Sequence, residues 1–242
     1  MKFTLKRDYQ TNAVRDALSN LVKARKDWHG DAYKSAFSLT AVTGAGKTVM
    51  AAAVFEALFH GDDEFNFDAD PGAVVLWFSD SPALNEQTRF RLMEASDRLN
   101  PTDLVKVENT FNRDKFEAKK IYFLNTQKLS KNSLLVRGFD REEVEEKAGM
   151  RLLELRPDLR AYTMWDTIQN TIEDPGLTLY LVLDEAHRGL GDPTSAEKKE
   201  KNTIVQRLIN GANGVPGIPV VWGISATVER FKEAMKVAVR RG

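Results

Sequence analysis

The sequence predicts an α/β fold: an open, mostly parallel sheet with helices on both faces. Three observations carry that reading. Five short apolar runs recur along the chain, at 37–42, 73–78, 121–124, 179–183 and 220–224. Most are continuous rather than alternating, which is how strands buried on both faces of a parallel sheet read. Longer amphipathic segments separate them, and strands alternating with helices call for crossover connections in one sheet. Length and composition agree. A chain of 242 residues that is 42% hydrophobic and 9% aromatic can bury a core without staples and is not a disordered chain.

The elements follow in order. Residues 8–27 keep Val14, Leu18, Leu21, Val22 and Arg25 at spacings of three and four, a helical stripe. After the strand at 37–42, residues 47–60 form an Ala-rich helix. Residues 61–72 hold Asp62, Asp63, Glu64, Asp68 and Asp70 with no Lys or Arg and read as a solvated surface loop. After the strand at 73–78, Ser81 places a capping hydroxyl before Pro82 at the first helical position. That helix is expected to run to about Leu99 and stop before Asn100-Pro101. Residues 104–107 fit a further short strand. Residues 128–160, with the charged run 140–147, read as a partly helical insertion on the sheet edge. Helices at 160–172, 197–209 and 228–239 complete the set. Nothing resembles an interdomain linker, so residues 1–242 are read as one domain.

Several classes are excluded. There is no cysteine, hence no disulfide scaffold, thiolate zinc site or cysteine nucleophile, and the composition suits a reducing cytoplasm. No apolar run approaches the ~18–20 residues of a membrane span, and the N-terminus lacks a signal-peptide core. The 35 Lys and Arg residues balance 35 Asp and Glu, so any case for nucleic acid must come from local features. His29 and His60 lack companion ligands and read as structural.

The sharpest local feature is Ala41-Val-Thr-Gly-Ala-Gly-Lys-Thr48, between an apolar strand and an Ala-rich helix, the context a phosphate-binding P-loop requires. Gly44 and Gly46 let the backbone curl so that its N–H groups face an anion, and the helix N-terminus adds partial positive charge. Lys47 can reach the β- and γ-phosphates, and the Thr48 hydroxyl can ligate Mg²⁺. The nucleotide-holding set is Thr43, Gly44, Ala45, Gly46, Lys47, Thr48 and Val49. Ala41 replaces the first glycine of the pattern.

The second feature is Asp184-Glu-Ala-His187 at the end of an apolar strand. A buried strand that delivers two acids is costly unless a cation or polar site awaits them. Asp184 would hold Mg²⁺ through water, Glu185 would orient the attacking water, and His187 would couple the nucleotide site to another element. Lys47, Asp184, Glu185 and His187 are therefore the catalytic candidates, with Thr48 and Asp184 as the metal ligands.

With these residues in hand, the chain resembles the first RecA-like domain of a superfamily 2 DEAD/DEAH-box helicase or translocase. Ser225-Ala-Thr227 after the strand at 220–224 matches the family's Ser-Ala-Thr motif, which implies that Ser225 and Thr227 couple hydrolysis to movement on nucleic acid. Arg7, Tyr9 and Gln10 resemble the adenine-reading motif. Residues 78–87, with Ser81, and Asn125-Thr126-Gln127 sit where nucleic-acid-contacting motifs belong. Within the superfamily the likeness is greatest to the Res subunit of type III restriction enzymes, carried by residues 123–129, Trp165-Asp-Thr-Ile168 and residues 184–189. Val228 departs from a common Pro.

The resemblance implies an ATP- and Mg²⁺-dependent motor acting on nucleic acid, DNA over RNA. It also implies a second RecA-like domain, missing from this chain, that completes the ATP site, and a methylation and specificity subunit as partner. On that reading the isolated chain binds nucleotide but hydrolyses it poorly. Other readings stay open: a different superfamily 2 helicase on DNA or RNA, a P-loop kinase or transporter ATPase, or a nucleotide-sensing DNA-binding module. Gln10 also suits an ordinary helix-surface amide, Ser81 a plain cap, and Asn125 and Thr126 a strand-end turn.

Overall fold

The computed structural model describes residues 2, 5, 8–42, 44–137, 160–184 and 196–225, with backbone alone at 196–198 and 225. The predicted helix at 228–239 and the bulk of the predicted insertion, 138–159, lie outside the described residues.

Helix α1 (Asp8–Asp31) buries Val14, Leu18 and Leu21 of the predicted stripe together with Ala17 and Ala24, while Val22 and Arg25 are only half-buried. Strand β1 (Ser35–Thr40), α2 (Lys47–His60), β2 (Ala73–Ser79) and α3 (Pro82–Ala95) follow. Then come β3 (Leu104–Lys106), β4 (Lys120–Asn125), α4 (Thr126–Leu129) and α5 (Met164–Glu173). Strand β5 (Thr178–Asp184), α6 (Ala196–Asn210), a small β6–β7 hairpin (Gly211–Ala212, Val215–Pro216) and β8 (Val220–Ser225) complete the described chain.

The main sheet has the order β1-β8-β5-β2-β4-β3, and every pairing in it is parallel. Successive side chains of a strand point to opposite faces, so each central strand feeds two cores. On β2, Ala73, Val75 and Trp77 join the layer of α1, α2 and α3, whereas Val74, Leu76 and Phe78 join that of α5 and α6. That double burial explains why β2 is apolar without a break. The fold is thus the predicted α/β sheet with helices on both faces. The short apolar run at 104–107 does become a strand, β3, at the sheet edge. Among the described residues no helix is long and apolar enough to cross a membrane.

Three expectations need correction. Helix α3 ends at Ala95 rather than near Leu99. The Ser96 hydroxyl takes over there: it accepts from the Leu99 amide at 2.9 Å and bonds the buried Glu56 carboxylate of α2. Helix α5 begins at Met164 rather than at 160, because Thr163 and Asp166 form a reciprocal capping box. The acidic loop at 61–72 is not wholly solvated. Asp70 is only 5% exposed, accepts from Tyr180 Oη at 2.7 Å and the Gly72 amide at 3.1 Å, and pairs with Arg25 at 3.6 Å. Burial and the neighbouring Asp70 carboxylate together hold the Tyr180 hydroxyl above its ordinary pKa.

Candidate functional site

Parallel strands put all their carboxyl ends on one edge, and ligands of open α/β sheets bind there. At one end of this edge β1 runs into the glycine turn. Gly44 and Gly46 both have φ +85°, in the left-handed region that side chains rarely adopt. A Cβ at Gly44 would meet no described atom within 4 Å, and the residue is exposed, so the turn is open on that side. Gly46 sits at the N-cap of α2 with no side-chain cap. The first amides of a helix have no partner within it and face its N-terminus.

Three side chains gather on this turn. Tyr9 Oη donates to the Ala45 carbonyl at 2.9 Å and Gln10 Nε2 to the same oxygen at 3.0 Å. Lys47 Nζ donates to the Ala41 carbonyl at 2.9 Å. A Cβ at Gly46 would lie 2.7 Å from Gln10 Nε2, so the glycine leaves room for the Gln10 amide on the loop. Thr48 and Val49 are half-buried in the first turn of α2.

The strand register fixes the second group. Asp184 is paired with Ile224 of β8, and Ile224 with Leu39 of β1. Asp184 therefore ends its strand level with the last turn of β1 and one strand removed from it. Strands lie ~4.8 Å apart, so the Asp184 backbone is roughly 10 Å from β1. That gap suits a phosphate chain with its cation between Thr48 and a partly exposed Asp184. The Ser225 backbone is paired with Thr40 on the strand between them.

Farther along the edge most of the polar groups, the Thr126 hydroxyl excepted, are engaged with one another. Ser79 Oγ donates to Asn85 Oδ1 at 2.7 Å, and Asn85 Nδ2 donates to the Leu124 carbonyl at 2.8 Å. This buried bridge ties the ends of β2, α3 and β4. Ser81 Oγ accepts from the Leu84 amide at 3.4 Å as the α3 cap. Asn125 is 4% exposed, and its Oδ1 accepts from the Lys128 amide at 3.2 Å, capping α4. The Thr126 hydroxyl is buried without a hydrogen-bond partner. Asp80, in the β2–α3 turn, forms an ion pair with Lys201 of α6. Burial pushes the Lys128 ammonium below its ordinary pKa, against the opposing pull of Glu108.

The structure thus gathers Tyr9, Gln10, Gly44, Ala45, Gly46, Lys47, Thr48 and Asp184 along one stretch of edge. It sets Ser81, Asn125 and Thr126 along another. Arg7, Thr43, Glu185, His187, Thr227 and the Ser225 side chain lie outside the described residues. His29 donates or accepts at Thr178 Oγ1, 2.8 Å away. The Ser79–Asn85 bridge and the Asp80–Lys201 pair carried no sequence signal of their partners, which are remote or differently placed along the chain.

The family described as "Type III restriction enzyme, res subunit" matches residues 4–230. No curated protein matches the sequence. Among solved structures, the chain is similar to a nuclease-deletion mutant of the Type ISP restriction-modification enzyme LlaGI, in complex with a DNA substrate mimic. That likeness has 16% identity and a TM-score of 0.41, covering 93% of this chain and 18% of that one. It is also similar to S. cerevisiae Dbp5 bound to RNA and ADP BeF3, with 13% identity and a TM-score of 0.39, covering 91% of this chain and 44% of that one. The chain spans less than half the length of either.

Proposed function

Since the chain belongs to the type III restriction enzyme res subunit family, a family of helicase-type motor domains, we propose that it binds ATP·Mg²⁺ and hydrolyses it to move on DNA. One observation carries the reading: the glycine turn of β1 and the Asp184 end of β5 flank a single intervening strand on one carboxyl edge.

The chemistry follows from the residues. The Gly44–Thr48 backbone amides receive the phosphate chain on the open side of the turn at Gly44. Lys47 exchanges the Ala41 carbonyl for β- and γ-phosphate oxygens. Gln10, already held on the loop at Ala45, offers its amide to the adenine edge. A Mg²⁺ held by Thr48 and Asp184 supplies charge neutralisation on the phosphates. Glu185 orients the attacking water, and His187, Ser225 and Thr227 transmit the change. A second RecA-like domain contributes an arginine finger, worth about 10³–10⁵ in rate, so this chain alone turns over slowly. Ser81, with the Asn125 and Thr126 backbone, meets the nucleic-acid backbone. A methylation and specificity subunit directs the motor in the cytoplasm.

Titration calorimetry with ATP and Mg²⁺ tests the site. The native chain is expected to bind, and Lys47→Ala to weaken binding about 30- to 150-fold, the effect of losing a charged hydrogen bond of ~2–3 kcal/mol. Equal affinities would refute the assignment.

A further inference from the structure

A cleft of about 470 Å³ opens between α4, the turn after it, α5 and α6. Its volume lies within the ~300–1,000 Å³ range of small-ligand pockets. Leu129 and Ile204 form an apolar floor. The Arg207 guanidinium lines the wall, lying 3.9 Å from the centre of the buried Trp165 ring. Its Nε is buried without a hydrogen-bond partner. Lys131 and Lys199 stand exposed at the rim. Among the described residues the one acid of the lining, Glu200, already accepts from the Lys131 amide at 2.9 Å.

Two contacts place the cleft mouth at the carboxyl edge of the sheet. Lys201, the next residue of α6, pairs with Asp80 just beyond β2. Lys131 follows α4, which starts where β4 ends at Asn125. The mouth therefore continues the stretch of edge that holds Ser81, Asn125 and Thr126.

We propose that this cleft takes one unpaired nucleotide of a nucleic-acid strand, its base stacked on the Arg207–Trp165 pair and its flanking phosphates on Lys131 and Lys199. The chemistry fits. Guanidinium planes backed by an aromatic ring are stacking platforms for bases. Among the described residues three cations face the engaged Glu200 and, near Arg207, Asp166, and an apolar floor beside them favours a polyanion with a flat apolar body over an acidic peptide without one. The reading rests on the chain being a nucleic-acid motor, and it adds a strand contact outside the regions the sequence pointed to.

The test uses the full chain and a fluorescent oligothymidylate of roughly 16 nucleotides. Arg207→Gln is expected to weaken binding about 5- to 150-fold, the range of a lost base stack. Lys131→Gln with Lys199→Gln, both exposed and safe for folding, is expected to lower the salt slope of log K by ~1.4. An oligonucleotide with abasic sites should bind the native chain more weakly than the intact one, and the Arg207→Gln chain no differently. Native affinity in both variants, or no oligonucleotide binding by the native chain, would overturn the proposal. So would a free mononucleotide or an acidic peptide that occupies the cleft as tightly as the strand. ATP affinity, measured in parallel, is expected to be unchanged in both variants, which separates failure here from failure of the nucleotide site.

Discussion

The two ends of one sheet edge are built on opposite plans. Around β1 and α2 the chain uses left-handed glycines and leaves the turn open at Gly44, with Tyr9 and Gln10 of α1 bonded to the Ala45 carbonyl. Around β2 and β4 the polar groups hold one another: Ser79, Asn85 and the Leu124 carbonyl form a closed bridge, and Ser81 and Asn125 cap helices. The first end presents an open, exposed backbone turn. The second is a frame that fixes strand ends and turns, so that backbone and rim groups present a stable surface. The contrast teaches that a polar residue at a strand end is a poor guide to ligand contact until its hydrogen bonds are counted.

Substitutions that respect this division should separate stability from nucleotide affinity. The largest stability effect is expected from Asn85→Ala. It removes the amide donor to the Leu124 carbonyl in a buried site, leaves the Ser79 hydroxyl only its bond to the Ser81 carbonyl, and should cost about 3 kcal/mol in denaturant unfolding, while the folded fraction keeps its nucleotide affinity. Lost affinity at unchanged stability would move Asn85 from the frame to the site. Next comes Gly46→Ala. A left-handed alanine costs ~1–2 kcal/mol, and its Cβ would displace Gln10 from Ala45. Here stability and nucleotide affinity should fall together, and a loss of stability alone would uncouple the Gln10 contact from the site. The smallest effect is expected from Ser81→Ala. Its capping bond is long at 3.4 Å, so thermal unfolding should show only ~0.5 kcal/mol, with no change at the nucleotide site.

The fold was legible because parallel strands buried on both faces leave continuous apolar runs, and these are visible without knowing their partners. The glycine turn was legible for a related reason: its requirements are local, set by residues 41–48 alone. Strand and helix limits shifted by a few residues where side-chain caps decided them, as at Thr163 and Ser96. What stayed hidden was non-local. Asp70 looks like its acidic neighbours, and only the fold brings Tyr180 and Arg25 to it. Asn125 reads as a candidate contact, yet its burial and its bond to the Lys128 amide are consequences of β4 ending beneath α4. Trp165 and Arg207 meet only because α5 and α6 share a face.

Hydrogen exchange with and without ATP·Mg²⁺ tests the division of the edge most directly, since it reads both ends in one sample. Amides at 44–49 are expected to slow on nucleotide addition, with those around Asp184 responding as well, while 79–85 and 125–129 stay as they were. Slowing confined to 79–85 and 125–129, or none at 44–49 under saturating nucleotide, would contradict it.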